Sequence, residues 1–249
     1  MSSYPALTAE CVTMKGHNGD TIEAYYARPV GKGPFPGVVL IHHAPGWDEW
    51  ITEATRKLAH HGFATIAPHL YHRVGQGSPD DIGAKARASG GVADTQVVGD
   101  VAGAMAYLRA QPESNGKVGL IGFCAGGRYS YLAGAQLSNV DAIVDCWGGN
   151  KFADNKNNPE KRPIAPIELT EKITAPVLGI YGNDDKNPSP EDVNKTEERL
   201  KKAGKTYEFH RYDGAGHGFF AASRAGYRPE QAEAGWKRVY AFYDKYLRN

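Results

Sequence analysis

The 249-residue chain is short of cysteine and of net charge, and each shortage removes a class of function. Its three cysteines, Cys11, Cys124 and Cys146, are odd in number and far apart, with no C-x-x-C among them. Neither a disulfide framework nor a structural zinc site is indicated, and reduced thiols are expected. Lys and Arg total 29 against 28 Asp and Glu, a formal net charge of +1. Such a balance gives no electrostatic footprint for nucleic acid or an anionic membrane, and neither partner is expected. No run approaches the roughly 20 apolar residues that a membrane span needs. Met1-Ser-Ser-Tyr-Pro5 has neither the basic start nor the apolar stretch of a secretory signal, so the expected compartment is the cytoplasm. His42 and His43 are adjacent, which points them to opposite faces of a strand, and no H-x-x-x-H or carboxylate cluster accompanies them. No metal and no other cofactor is expected.

What the chain does hold is a soluble composition, 41% hydrophobic and 23% charged, on a length that buries a substantial core. Residues 10–15 and 21–28 alternate around the turn His17-Asn-Gly-Asp20 and predict an antiparallel hairpin. Apolar runs at 37–42, 63–67, 118–121 and 175–181 predict further strands, and 141–147 and 206–212 read as two more. Between them lie helical patterns. Asp48 is placed to cap one that runs to about His60. Val97, Val98, Val101, Met105 and Leu108 mark a second, and Ser189-Pro190 opens a third. Trp236, Val239, Tyr240, Tyr243 and Leu247 form the stripe of a C-terminal helix. Two segments read as irregular: 68–91, long enough to be functional, and 148–172, expected to be a solvated surface excursion. Strands alternating with helices predict an α/β fold, a mostly parallel sheet covered on both faces, in a single domain spanning 1–249.

The most informative stretch is Lys117-Val-Gly-Leu-Ile-Gly-Phe-Cys124-Ala-Gly-Gly-Arg128. A buried strand runs into Gly122-x-Cys124-x-Gly126 and then into a helical pattern. This is the strand–turn–helix setting of a nucleophile elbow, with cysteine in place of serine. The helix beginning at Cys124 offers free N–H groups and a positive dipole end, which favour a thiolate and a nearby oxyanion. In such a fold an acid and then a histidine are expected on loops after later strands. Gly182-Asn-Asp184-Asp185 and Asp213-Gly-Ala-Gly-His217 stand there. His217 is the candidate base for Cys124, and Asp185 the candidate that orients its ring, with Asp184 as the alternative. The oxyanion hole is expected from the backbone amides of Ala125 and Ala44. Trp47 and Phe219 are placed to wall an acyl pocket.

With these residues in view the chain resembles the dienelactone hydrolase family of the α/β-hydrolase superfamily. The resemblance rests on Gly122-Phe-Cys124-Ala-Gly126-Gly127, Leu70-Tyr71-His72-Arg73, the run from Ala175 to Asp185, and Gly214-Ala-Gly-His217-Gly-Phe219. It implies an α/β-hydrolase fold and a cysteine hydrolase of lactones or other activated esters, acting through a thioester acyl-enzyme. It also implies arginines that hold a substrate carboxylate, for which Arg73 and Arg224 are the candidates. Members of the family carry a glutamate just after the first buried strand, where it holds the resting thiol and takes part in its activation. Here that position is His43, which joins the candidate substrate-facing residues. The expected partner is a small ester or lactone, with the protein a monomer or homodimer. A non-catalytic binding or sensing protein on a hydrolase fold is the competing reading, and a redox-sensing thiol the third.

Overall fold

The computed structural model describes residues 6–152 and 158–248. Two antiparallel strands, β1 (Leu7–Lys15) and β2 (Thr21–Pro29), open it in continuous register from Leu7↔Pro29 to Lys15↔Thr21. The remaining strands are β3 (Phe35–Ile41), β4 (Ala64–Pro68), β5 (Ser114–Phe123), β6 (Ala142–Cys146), β7 (Val177–Gly182) and β8 (Tyr207–Tyr212). They form one eight-stranded sheet in the order β1-β2-β4-β3-β5-β6-β7-β8. Pairing is antiparallel from β1 to β2 and from β2 to β4, and parallel from there on. From β3 the chain moves outward to β4 and returns to build β5 on the other side. That reversal opens a crevice at the carboxyl ends of β3 and β5, where parallel sheets bind their ligands.

Helices cover both faces: α1 (Glu49–His60), α2 (Pro79–Ala88), α3 (Asp94–Arg109), α4 (Ala125–Gln136), α5 (Pro190–Lys202) and α6 (Pro229–Leu247). Side chains alternate along each central strand, so the strands feed two cores. Val39, Ile41, Val118, Leu120 and Ile143 meet Val97, Val101, Met105 and Leu108 of α3 and Leu132 of α4. Val38, Leu40, Ile121, Phe123, Val144 and Ile180 meet Ile51 and Leu58 of α1 and Trp236, Val239 and Tyr243 of α6. Each such side chain contributes about 1.5–3 kcal/mol when fully buried, which explains the unbroken apolar runs. The helix starts follow local chemistry. Asp48 accepts from the Ile51 amide at 3.1 Å, and Ser189 and Asp192 form a reciprocal capping box on α5. Among the described residues no helix is long and apolar enough to cross a membrane.

Two segments differ from the sequence reading. The stretch 68–91 is not irregular throughout, because Ser78 caps α2, whose buried face is only Ile82, Gly83 and Ala86. So small a stripe carries little hydrophobic periodicity. The stretch 148–172 is not a purely solvated excursion either. Lys151 is buried, its Nζ 2.7 Å from the buried carboxylate of Asp145 and also donating to the Gly148 carbonyl. A 3-10 segment, Pro166–Lys172, buries Ile167, Leu169 and Thr170. Residues 153–157 of this stretch lie outside the described residues.

Candidate active site

Cys124 stands between the end of β5 and the first turn of α4 with φ +58° and ψ −118°. A side chain rarely holds positive φ unless its surroundings enforce it. Here they do, through both glycines. A Cβ on Gly122 would come within 1.8 Å of the Gly126 carbonyl oxygen, and one on Gly126 within 2.0 Å of that of Ile41. The turn is therefore as tight as the backbones permit, and only glycine fits two positions to either side of the sulfur. The Cys124 amide is taken by the Cys146 carbonyl at 3.0 Å.

The thiol sits beside the His217 ring and near the backbone amides of Ala125 and Ala44. Burial alone would push its pKa up, but the ring, by hydrogen bond and by charge, and the two amides hold it below the ordinary thiol value. His217 Nδ1 donates to Asp185 Oδ2 at 2.8 Å, which leaves Nε2 as the nitrogen for sulfur. Burial opposes the charged ring, yet the bonds and charges of Asp185 and Cys124 raise its pKa to about 10. Asp185 is buried, and its other oxygen accepts from the Asn187 amide at 2.9 Å. Of the two neighbouring acids it is Asp185 that meets the ring, while Asp184 is exposed. The site thus brings a sulfur, an imidazole and a buried carboxylate into one line, with the surroundings of the sulfur favouring its anion.

The other residues singled out from the sequence are placed unevenly. Trp47 donates from Nε1 to the Ala67 carbonyl and stacks on His69, walling a cavity of about 420 Å³ with Tyr71. Phe219 is not a pocket wall. It is 0% exposed, packed beneath the His217 loop against Trp147, Tyr212 and Phe220. Arg73 is not brought to the thiol, because its guanidinium is taken by Asp100 at 2.9 and 3.0 Å and by Asp20 at 2.8 Å. It ties the β1–β2 turn to α3. Arg224 donates to Asp48 at 3.3 Å, and His43 Nε2 donates to the same carboxylate at 2.7 Å while its ring lies on Trp50. His43 is thereby turned toward the start of α1. Among the described residues no group of three or more His, Cys, Asp or Glu could hold a metal ion.

Sequence reasoning missed a polar group around the Ala44 loop. Tyr71 Oη and Arg87 Nη1 donate to the Ala44 carbonyl at 3.1 and 3.2 Å. Arg162 lies beside Tyr129, its Nε buried and without a hydrogen-bond partner among the described residues. Burial pushes the Tyr71 hydroxyl up to about 12, so it stays a donor. Arg87 belongs to α2, the helix without a clear stripe, and Arg162 to a stretch whose charge reads as solvated. Only the Tyr71 segment carried a signal.

The sequence pattern of the dienelactone hydrolase family matches residues 22–247. The chain belongs to that family. A protein of Methylorubrum extorquens named carboxymethylenebutenolidase is 34% identical over 230 residues, covering 90% of this chain and 77% of the relative. One of the same name from Escherichia coli K12 is 32% identical over 233 residues, with 92% and 84% covered. A Klebsiella pneumoniae crystal structure described as a dienelactone hydrolase superposes with a TM-score of 0.86 at 31% identity, covering 97% of this chain and all (100%) of that one. Membership fixes the fold as an α/β-hydrolase fold and the reaction class as hydrolysis of an ester bond.

Proposed function

We propose that this member of the family hydrolyses lactones that carry a carboxylate, through a Cys124 thioester and the chain Cys124–His217–Asp185. The observation that supports it is the sulfur held under two amides and against a ring already bonded to a buried acid. Sγ attacks the acyl carbon, and the carbonyl oxygen takes up negative charge between the N–H groups of Ala44 and Ala125. The C–O bond of the lactone breaks, and the departing alkoxide receives the proton of the imidazolium, remaining tethered as a hydroxyl on the opened acyl chain. His217 then takes a proton from water, hydroxide attacks the thioester, and the thiolate leaves. Asp185 holds the ring and stabilises its charge in both halves.

The substrate class draws on chemistry near the Ala44 loop and on the relatives' name, which describes a butenolide bearing a carboxyl-substituted carbon. Arg87 and Arg162 are cations on that side, and a guanidinium grips a carboxylate through charge-assisted bonds. No cofactor enters this scheme. The test is hydrolysis of a carboxylate-bearing enol lactone by wild type and by Cys124→Ala. Activity should fall to the background rate while the far-UV spectrum is unchanged, and a brief incubation with an activated ester should leave an acyl mass on Cys124. Turnover by wild type no faster than by C124A would instead support a binding protein and end the enzymatic reading.

A further inference from the structure

This inference rests on the acyl-transfer reading above and concerns what holds the Ala44 amide on its target. The peptide joining His43 to Ala44 presents that N–H on one side and the His43 carbonyl on the other. The carbonyl accepts from His42 Nδ1 at 2.8 Å and from the Gly46 amide at 3.0 Å. A carbonyl oxygen only accepts, so the proton of the His42 ring is assigned to Nδ1. The ring is 1% exposed, set edge-on against Tyr71 with centroids 4.6 Å apart. Burial drives its pKa down to about 3, which keeps it neutral. Its Nε2 is buried and has no hydrogen-bond partner among the described residues. An unpaired buried nitrogen is costly, and an apolar side chain of similar volume would avoid that cost. What a histidine adds at this position is the bond from Nδ1.

We propose that His42 is a positioning residue that aims and polarises the oxyanion-binding peptide between His43 and Ala44. A bond accepted at an amide oxygen draws density from its nitrogen and makes the N–H a stronger donor, because linked hydrogen bonds polarise one another. A ring locked in the core also fixes the plane of that peptide. The N–H therefore points at the developing oxyanion before reaction, with no reorganisation during it. No proton leaves His42 at any step.

The experiment compares His42→Asn with His42→Leu. The asparagine amide places a donor near the position of Nδ1, whereas leucine fills the space without one. Two reactions are followed: hydrolysis of p-nitrophenyl acetate, which forms an oxyanion, and alkylation of Cys124 by iodoacetamide at pH 9, which does not. Complete loss of an oxyanion-hole donor costs about 10²–10³-fold in kcat, so weakening and misaiming one in H42L should cost roughly 10–100-fold. KM and the alkylation rate of H42L should stay within about two-fold of wild type, and H42N should keep kcat within about three-fold. Equal losses in both variants would reduce His42 to packing and overturn the proposal, as would an unchanged kcat in H42L or a parallel loss of alkylation. Should leucine not give folded protein, phenylalanine, which keeps a ring against Tyr71, replaces it in the same comparison. Hydrolysis that survives in C124A refutes the thioester reading separately, whatever the His42 variants do.

Discussion

Removing the imidazole beside Cys124 is the sharpest perturbation of this site. In His217→Ala the sulfur keeps the amides of Ala125 and Ala44 but loses the bond and the charge that do most to favour its anion against burial. Two unit charges about 4 Å apart at an effective dielectric near 20 attract by about 4 kcal/mol, or roughly three pKa units. The His217 side chain is 40% exposed, and water screening trims the expected effect to about two units. The alkylation midpoint of Cys124 should therefore rise by about two pH units in H217A, toward or past the ordinary thiol value of about 8.5. The sign follows from the anion: a lowered thiol pKa means thiolate persists above that value, and removing its cause delays thiolate to higher pH.

The assay is iodoacetamide alkylation from pH 4 to 10, scored on the Cys124 peptide so that the exposed Cys11 does not confuse the count. Midpoints are compared, not rates at one pH. Thiolate nucleophilicity falls with its pKa along a slope of about 0.4–0.5, so the variant's scarcer thiolate attacks faster and masks the change at pH 7. Asp185→Asn provides the complementary arm. The carboxylate helps lift His217 to about 10, and a raised imidazole pKa keeps the cation until that pH is passed. Without the carboxylate the alkaline limit of the ion pair should move down, and hydrolysis at pH 7 should fall on the order of 10³–10⁴-fold. A Cys124 midpoint within half a unit of wild type in H217A would refute the reasoning, since the ring would then not be what stabilises the sulfur.

Two arginines separate substrate binding from scaffold. Arg73→Ala strips the fully buried Asp100 of a bidentate partner, which should destabilise by about 2–3 kcal/mol after allowance for the partly exposed arginine. A melting point lower by roughly 5–10 °C with unchanged KM is expected, and an altered KM would restore Arg73 to the site. Arg87→Ala should instead raise KM about ten-fold for a carboxylate-bearing lactone relative to its methyl ester, at constant melting temperature. Lys151→Met leaves the Asp145 carboxylate buried with, among the described residues, the Tyr181 hydroxyl and the Gly148 amide as its remaining donors. That should cost about 3 kcal/mol and lower the melting point by around 10 °C, with most of it regained in D145N/K151M by calorimetry.

The parts of the site that were legible in the sequence are those enforced by sterics or by strand periodicity. Gly122 and Gly126 flank Cys124 because a Cβ at either would strike backbone, so the spacing itself announces the turn. Asp185 follows an apolar strand whose end is easily read, His217 follows the last strand, and their loops meet. What was not legible depends on who meets whom across the chain. Arg73 looks free in sequence, yet Asp100, which takes its guanidinium, lies a helix away. Phe219 sits beside His217 but faces the aromatic cluster under it. Arg87 rides on a helix whose buried side is too small to register. The proton on His42 is fixed by the carbonyl of its own neighbour, a contact that composition and spacing do not encode.

His43 gives the arrangement its chemical consequence. The resemblance to the family places a glutamate at this position, beside the resting thiol. A carboxylate there would oppose thiolate by like charge, so ionisation would wait until that charge moved. In this chain the side chain is an imidazole turned away to Asp48, which is itself held by the α1 amide of Ile51 and by Arg224. No acid is left at position 43 to compete for the proton of Cys124. Under the proposed mechanism His217 and the amides of Ala44 and Ala125 therefore favour the thiolate before substrate arrives. The same amide that receives the oxyanion then already faces the sulfur at rest. One peptide bond, oriented from behind by His42, serves both charges in turn.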